Sequence, residues 1–245
     1  MPVSKTVSGL IFFDELDSEA GWDWWYTGVN PTHGPDTNNK HSGAASLHVA
    51  VAGAGQGWWK KTIDFGSGSG RRVYVWHKTN EVSDLTAYAL DIVRNSDNAM
   101  MLRLPPQPGD QSTHDWSRHG GDIPIAVIGA NCHFEINVVG GNPGDEAWSD
   151  RVVVAKSDGV TVIYLTPGQK VEIYRSSDNT LIGNATCQGG QSSVTISVAD
   201  EDYPEQMYFK IYATDGTTLI ETTADYQVCG GDTWAWAPGK GTLTV

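Results

Sequence analysis

Short runs in which apolar and polar residues alternate, rich in Val, Ile, Tyr and Thr, recur between clusters of Gly, Asn, Asp and Ser, and no window carries an apolar stripe of helical period. On an extended backbone, side chains two apart share a face, so such runs make half-buried strands and leave no amphipathic helix to build. The spacing predicts strands over 9–13, 45–51, 58–64, 72–78, 87–95, 99–104, 123–128, 133–139 and 150–155. Within 72–78, Val73, Val75 and His77 face one way while Tyr74, Trp76 and Lys78 face the other. A second series covers 161–165, 170–174, 180–186, 193–198, 207–214, 218–222 and 226–229, with Asp178-Asn179 and Asp215-Gly216 as hairpin turns. The polar turn Lys156-Ser157-Asp158-Gly159 separates the two series.

The chain therefore reads as all-β with two domains, residues 1–156 and residues 159–245. The second, with about seven short strands, fits an immunoglobulin-like or transthyretin-like sandwich. Its Cys187 and Cys229 lie near strand ends and are candidates for a bridge across that sandwich, whereas Cys132 reads as a buried thiol. The three cysteines form no Cys-x-x-Cys pair of the kind that holds zinc.

Charge excludes one class of partner. With 16 Lys and Arg against 29 Asp and Glu, the net charge is −13, whereas nucleic-acid affinity rests on cations that displace condensed counterions. No run approaches the roughly 18 apolar residues of a membrane-spanning helix, so a soluble protein without membrane insertion is expected. Residues 1–10 carry one Lys and no apolar run, and so do not resemble a secretory signal, which suits a protein assembled inside the cell that faces outside later.

The ten tryptophans are the compositional surplus. Indoles stack on sugar rings and also fill sandwich cores, so both uses stand. Trp24, Trp25, Tyr26, Trp76 and Trp116 are candidate glycan or partner contacts. Trp234 and Trp236, two apart, share a face if extended, and either form an aromatic platform or pack on the first domain, with packing favoured. The alternating tail 241–245 can add to a neighbour's sheet edge.

Four segments together carry a resemblance: Phe13-Asp14-Glu15-Leu16-Asp17 with Gly21-Trp22, then His41-Ser42-Gly43-Ala44-Ala45-Ser46-Leu47-His48-Val49, then Val73 to Lys78, then Ser149-Asp150-Arg151-Val152-Val153-Val154. In order and separation they resemble the jelly-roll carbohydrate-binding modules of galactose-binding-like fold over about residues 10–156. The resemblance implies a structural calcium where the first strand, the loop before His41 and the closing strand meet. Asp14 or Glu15, Asp36, Thr37, Asn39 and Asp150 would supply its oxygens. The sequence departs from the family's closing acidic pair, which here is Asp150-Arg151.

Glu15-Leu16-Asp17-Ser18-Glu19 is also similar to the catalytic pattern of family 16 glycoside hydrolases, in which three carboxylates on one strand face serve retaining hydrolysis. Its position at the start of the chain, followed by Ala20-Gly21, argues against that use. His114 and His119 lie in a stretch, 105–122, that reads as a long loop.

The function expected is a non-enzymatic structural or adhesion subunit of an external assembly, such as a virion tail, fibre or decoration protein or a surface filament, located on the virion or at the extracellular surface. Its partners would be copies of itself, other subunits and polysaccharide. The alternatives are a carbohydrate-binding module of a secreted glycanase and a family 16-like hydrolase. An open aromatic face would favour the module, and aromatic residues buried against a neighbour would favour the subunit.

Overall fold

The computed structural model describes residues 3–66, 70–80, 87–104, 113–125, 131–140, 142–198, 201 and 203–237. Those residues form strands and no helix. The first twelve strands are β1 (Val3–Val7), β2 (Leu10–Asp14), β3 (Asp23–Gly28), β4 (Thr32–Asp36), β5 (Ser46–Ala50), β6 (Gly55–Thr62), β7 (Arg71–Asn80), β8 (Ala87–Arg94), β9 (Met100–Leu104), β10 (His114–Ile123), β11 (Cys132–Gly140) and β12 (Glu146–Ala155). Then follow β13 (Gly159–Ile163), β14 (Lys170–Arg175), β15 (Leu181–Thr186), β16 (Ser193–Ser197), β17 (Gln206–Tyr212), β18 (Leu219–Thr222), β19 (Tyr226–Gln227) and β20 (Thr233–Trp236).

Two compact units result, Ile11–Val154 and Met1–Leu10 with Ala155–Val245. In the larger, one sheet runs β10-β7-β12-β5-β4 with β2 also on β12, and the other runs β3-β6-β11-β8-β9. Successive strands repeatedly change sheet, which is the jelly-roll β-sandwich. The period-2 pattern supplies the core: Leu47, Val49, Val73, Val75, Val152 and Val154 meet Trp59, Leu90, Ile92, Phe134 and Ile136. Along β12, Ala147 and Ser149 pair with the core-facing strand positions Val49 and Leu47. Val152 and Val154 face the core again, so Asp150-Arg151 inserts one extra residue, and Arg151 takes the left-handed φ of 52° that such a bulge uses.

β10 corrects the long-loop expectation for 105–122. The sequence His114-Asp-Trp-Ser-Arg-His-Gly-Gly-Asp-Ile lacks the β-branched signature of a strand, yet it pairs with β7 from Ile123↔Arg71 to Ser117↔His77. Its glycines serve closeness. A Cβ on Gly120 would stand 2.1 Å from the Val73 carbonyl oxygen. The strand expected over 123–128 is also corrected, because β10 ends at Ile123; residues 126–128 of that span lie outside the described residues.

The smaller unit pairs β1-β20-β13-β16 with β15-β14-β17-β18, β19 also lying on β17. The first strand belongs here: Val3 pairs with Trp236 and Lys5 with Trp234, so a contiguous 1–156 domain is corrected at its N-terminus. Trp234 and Trp236 are buried in this unit's own core with Val160, Val162, Ile173 and Phe209. They are therefore not an exposed platform, and the packing that their spacing favoured is found within their own unit. The tail 241–245 lies outside the described residues.

All three cysteines are free, which corrects the Cys187–Cys229 bridge. Cys187 Sγ points to the Gln191 carbonyl at 3.3 Å, within its own loop. The Cys229 backbone N–H is tied to Asp232, and burial together with the Asp232 charge pushes its thiol up to about 12. Both act as small buried groups.

Candidate functional site

The outward face of β3-β6-β11-β8-β9 carries a cleft of about 420 Å³, within the range of small-ligand sites. Two tryptophan pairs build one wall. Alternation sends one indole of each pair inward and the other outward: Trp59 is fully buried and Trp24 packs on the core, while Trp58 and Trp25 line the cleft. The antiparallel register sets Trp25 opposite Trp58, and Trp25 is 51% exposed. Inward, Trp24 stacks on His33 with ring centroids 4.1 Å apart and lies over Gly57, where a Cβ would stand 2.3 Å from the indole.

β11 supplies the floor. Phe134, Ile136 and Val138 face the core, so His133, Glu135 and Asn137, at alternate positions, face the cleft. One row of the sheet reads Asp23, Lys60, Glu135, Asp91, Arg103 across five strands. Asp91, almost wholly buried, accepts two bonds from Arg103, at 2.8 and 2.6 Å. Those bonds raise the Arg103 pKa against partial desolvation, and the charges of Asp91 and Glu135 add to the effect. Lys60 Nζ lies 4.1 Å above the Trp25 ring. Each cation of the row thus has an anion or an aromatic face. Asn137 donates from Nδ2 to Asp91 at 3.4 Å, and its Oδ1 is buried without a hydrogen-bond partner.

Of the residues expected to make contacts, only Trp25 lines this cleft. Tyr26 is exposed on the edge strand β3 but is not part of the lining. Trp76 is on the other sheet, stacked on His41 at 4.0 Å, with Trp116 edge-on to the same imidazole at 6.0 Å. A recess of about 590 Å³ on that sheet is lined by Asp36, Lys78, Asp115, Glu146 and Trp148 among others. The missed residues, Trp58, Asp91, Arg103, His133, Glu135 and Asn137, had one readable signal: three polar residues at alternate positions of the otherwise apolar run 132–138.

The ligand set expected for calcium serves three separate networks. Asp14 accepts from Lys61 at 2.9 Å, from the Trp22 indole at 3.1 Å and from the Leu16 amide at 2.9 Å. Asp36 accepts from the Asn38 and Asn39 amides, the Asn39 side chain and the Trp148 indole. Burial alone would raise its pKa, but these bonds together hold it at about 2. Thr37 is exposed, and the Asn39 carbonyl accepts from Ser46. Asp150 accepts from the His41 and Ser42 amides at 2.7 and 2.9 Å; its burial outweighs those bonds and lifts its pKa to about 6. Arg151, the departure from the family's acidic pair, donates to Glu15 at 3.2 Å and brings a positive charge to this corner. Among the described residues no three His, Cys, Asp or Glu side chains gather as a group that could hold a metal.

The pattern Glu15, Asp17, Glu19 is likewise dispersed, because β2 ends at Asp14 and Leu16 takes a left-handed φ of 60°. Glu15 meets Ser42 and Arg151, Asp17 accepts from the Ala44 and Ala45 amides, and Glu19 meets His33 and the Trp59 indole. The three carboxylates share no strand face. His119, fully buried, lies with Nε2 3.0 Å from the Leu104 carbonyl.

No protein family matches the chain in sequence, and no curated protein matches it. Similar solved structures include the CBM22-1 xylan-binding domain from Paenibacillus barcinonensis Xyn10C, 8% identical over 62% of this chain and 97% of that one, with a TM-score of 0.45. A family 16 carbohydrate-binding module is 13% identical over 56% of this chain and 92% of that one, with a TM-score of 0.41. The enzymatically active domain of bacteriophage CBA120 tailspike protein 4 is 14% identical over 58% of this chain and 20% of that one, with a TM-score of 0.44. No residue role is carried over from likenesses at this level.

Proposed function

We propose that this chain is a non-catalytic carbohydrate-recognition protein that holds an uncharged polysaccharide in the cleft of Trp25, Trp58 and Asn137. The observation that carries the reading is the half-exposed Trp25 indole, set opposite Trp58 at the wall of a cleft whose floor is polar. An exposed indole face stacks on a sugar ring while the hydroxyls of that ring bond the polar groups of the floor. The cations Lys60 and Arg103 are already matched by Trp25 and Asp91, and the floor presents the Glu135 carboxylate. Hydroxyl donors suit such a floor, whereas a uronate or sulfate would set acceptor against acceptor. Titration of the whole chain with a panel of neutral and acidic polysaccharides tests this. Trp25→Ala is expected to weaken the retained neutral glycan about tenfold or more, the scale of a stacking anchor. Preference for acidic glycans, binding indifferent to Trp25, or glycan cleavage would each overturn it.

A second reading places this chain in an external assembly, at a virion or cell surface, with copies of itself or other subunits as partners. Leu181 on β15 and Leu219 and Ile220 on β18 support it, since these exposed apolar residues lie on the two end strands of the β15-β14-β17-β18 order. Sedimentation at high concentration tests it: large closed or fibrous species are expected, and a strict monomer absent from any particle overturns it.

A further inference from the structure

His133 stands on the cleft floor, buried, with an oxygen at each ring nitrogen: Asn95 Oδ1 lies 2.6 Å from Nδ1 and Glu135 Oε1 lies 2.9 Å from Nε2. The Asn95 amide is turned this way because its Nδ2 donates to Asn131 Oδ1 at 2.7 Å. A neutral imidazole has one N–H and can satisfy only one of these acceptors, while an imidazolium donates to both. We propose that His133 is a positioning residue: as an imidazolium it fixes the Glu135 carboxylate for the sugar, so that glycan binding in this cleft tightens as pH falls. This rests on the reading of the cleft as a polysaccharide site.

The surroundings explain why one proton matters. Glu135 has Lys60 as its register partner on β6 and Asp91 on β8, and Asp91 is joined to Arg103 on β9. The register partners of His133 itself, Thr62 and Val93, are uncharged. With the imidazolium in place, three cations, His133, Lys60 and Arg103, stand with three carboxylates, Asp23, Glu135 and Asp91. When the proton leaves, Glu135 loses either its donor or its compensating charge beside Asp91. Its side chain must then be reordered by each incoming ligand, which costs affinity on the scale of one immobilised side chain. A neutral His133 can keep both contacts only if the Asn95 and Asn131 amides turn together, offering Nδ2 to Nδ1.

The test measures Kd of the intact chain for the most strongly retained neutral polysaccharide between pH 5.5 and 8.5, for wild type, His133→Gln and Trp25→Ala, alongside the ring ¹⁵N resonances of His133 in the free protein. Kd is expected to rise about three- to tenfold toward pH 8.5. The rise should follow the loss of the second ring proton and be absent in His133→Gln. A flat profile in a protein whose binding still needs Trp25 overturns the role of His133 and leaves the cleft reading standing. So does an unchanged slope in His133→Gln, or a ring that is singly protonated at pH 5.5. Failure to retain any polysaccharide at any pH overturns both.

Discussion

At the scale of residues, single atoms decide which tryptophans are free to work. Gly57 admits Trp24 to the inner face because nothing but hydrogen fits beneath the indole. Gly57→Ala is therefore expected to push Trp24 off His33 and destabilise the larger unit by about 1–3 kcal/mol, the usual cost of overpacking, read as a lower denaturation midpoint at unchanged slope. The two acids of the opposite sheet bear on stability with opposite signs. Asp36, bonded down to about 2, contributes stability above its unfolded value that is lost only as pH falls toward 2. Asp150, lifted by burial to about 6, contributes stability at low pH that is lost as pH rises through 6. Wild type should then lose up to about 3 kcal/mol relative to Asp150→Asn between about pH 4 and pH 7, at 1.36 kcal/mol per pKa unit. Parallel denaturation profiles for the two proteins across that window would show that Asp150 titrates as it does in the unfolded chain.

At the scale of elements, alternation made most strands legible and also marked what it could not reach. Val73 to Lys78 and Lys170 to Tyr174 read correctly because a strand with one buried face must repeat every two residues. β10 and β3 did not, since Gly120, Gly121, Trp24 and Trp25 are chosen for what lies across from them, which no local pattern records. The same holds for the site. Trp25 was readable as an aromatic surplus, but Asp91, Arg103 and Asn137 become a site only when the register of β8, β9 and β11 lays them side by side. β20 was legible only in part: the alternation of Trp234 and Trp236 with Thr233 and Ala235 favoured packing, but the partners that enclose them, the far N-terminus and β13, are recorded by no local pattern. Trp236→Ala is accordingly expected to cost about 3–5 kcal/mol, the price of emptying a buried indole site, measured as loss of the smaller unit's thermal transition.

At the scale of the whole molecule, two separate cores imply two cooperative units that answer to different perturbations. The cleft lies wholly within Ile11–Val154, lined from Trp25 to Asn137, while Trp236 belongs to the other core. A ligand bound only by folded protein stabilises the unit that binds it by RT ln(1 + [L]/Kd), about 2.7 kcal/mol at a hundredfold excess over Kd. Calorimetry with the retained polysaccharide should therefore raise one transition, and that transition should be the one that Trp236→Ala leaves in place. Both perturbations are read in one trace: polysaccharide raises the transition of the larger unit, the tryptophan substitution removes that of the smaller, and with both applied the one remaining transition is still raised by polysaccharide. If polysaccharide raises the transition that Trp236→Ala removes, the binding surface is on the smaller sandwich and the outward face of β3-β6-β11-β8-β9 is not where sugar is held.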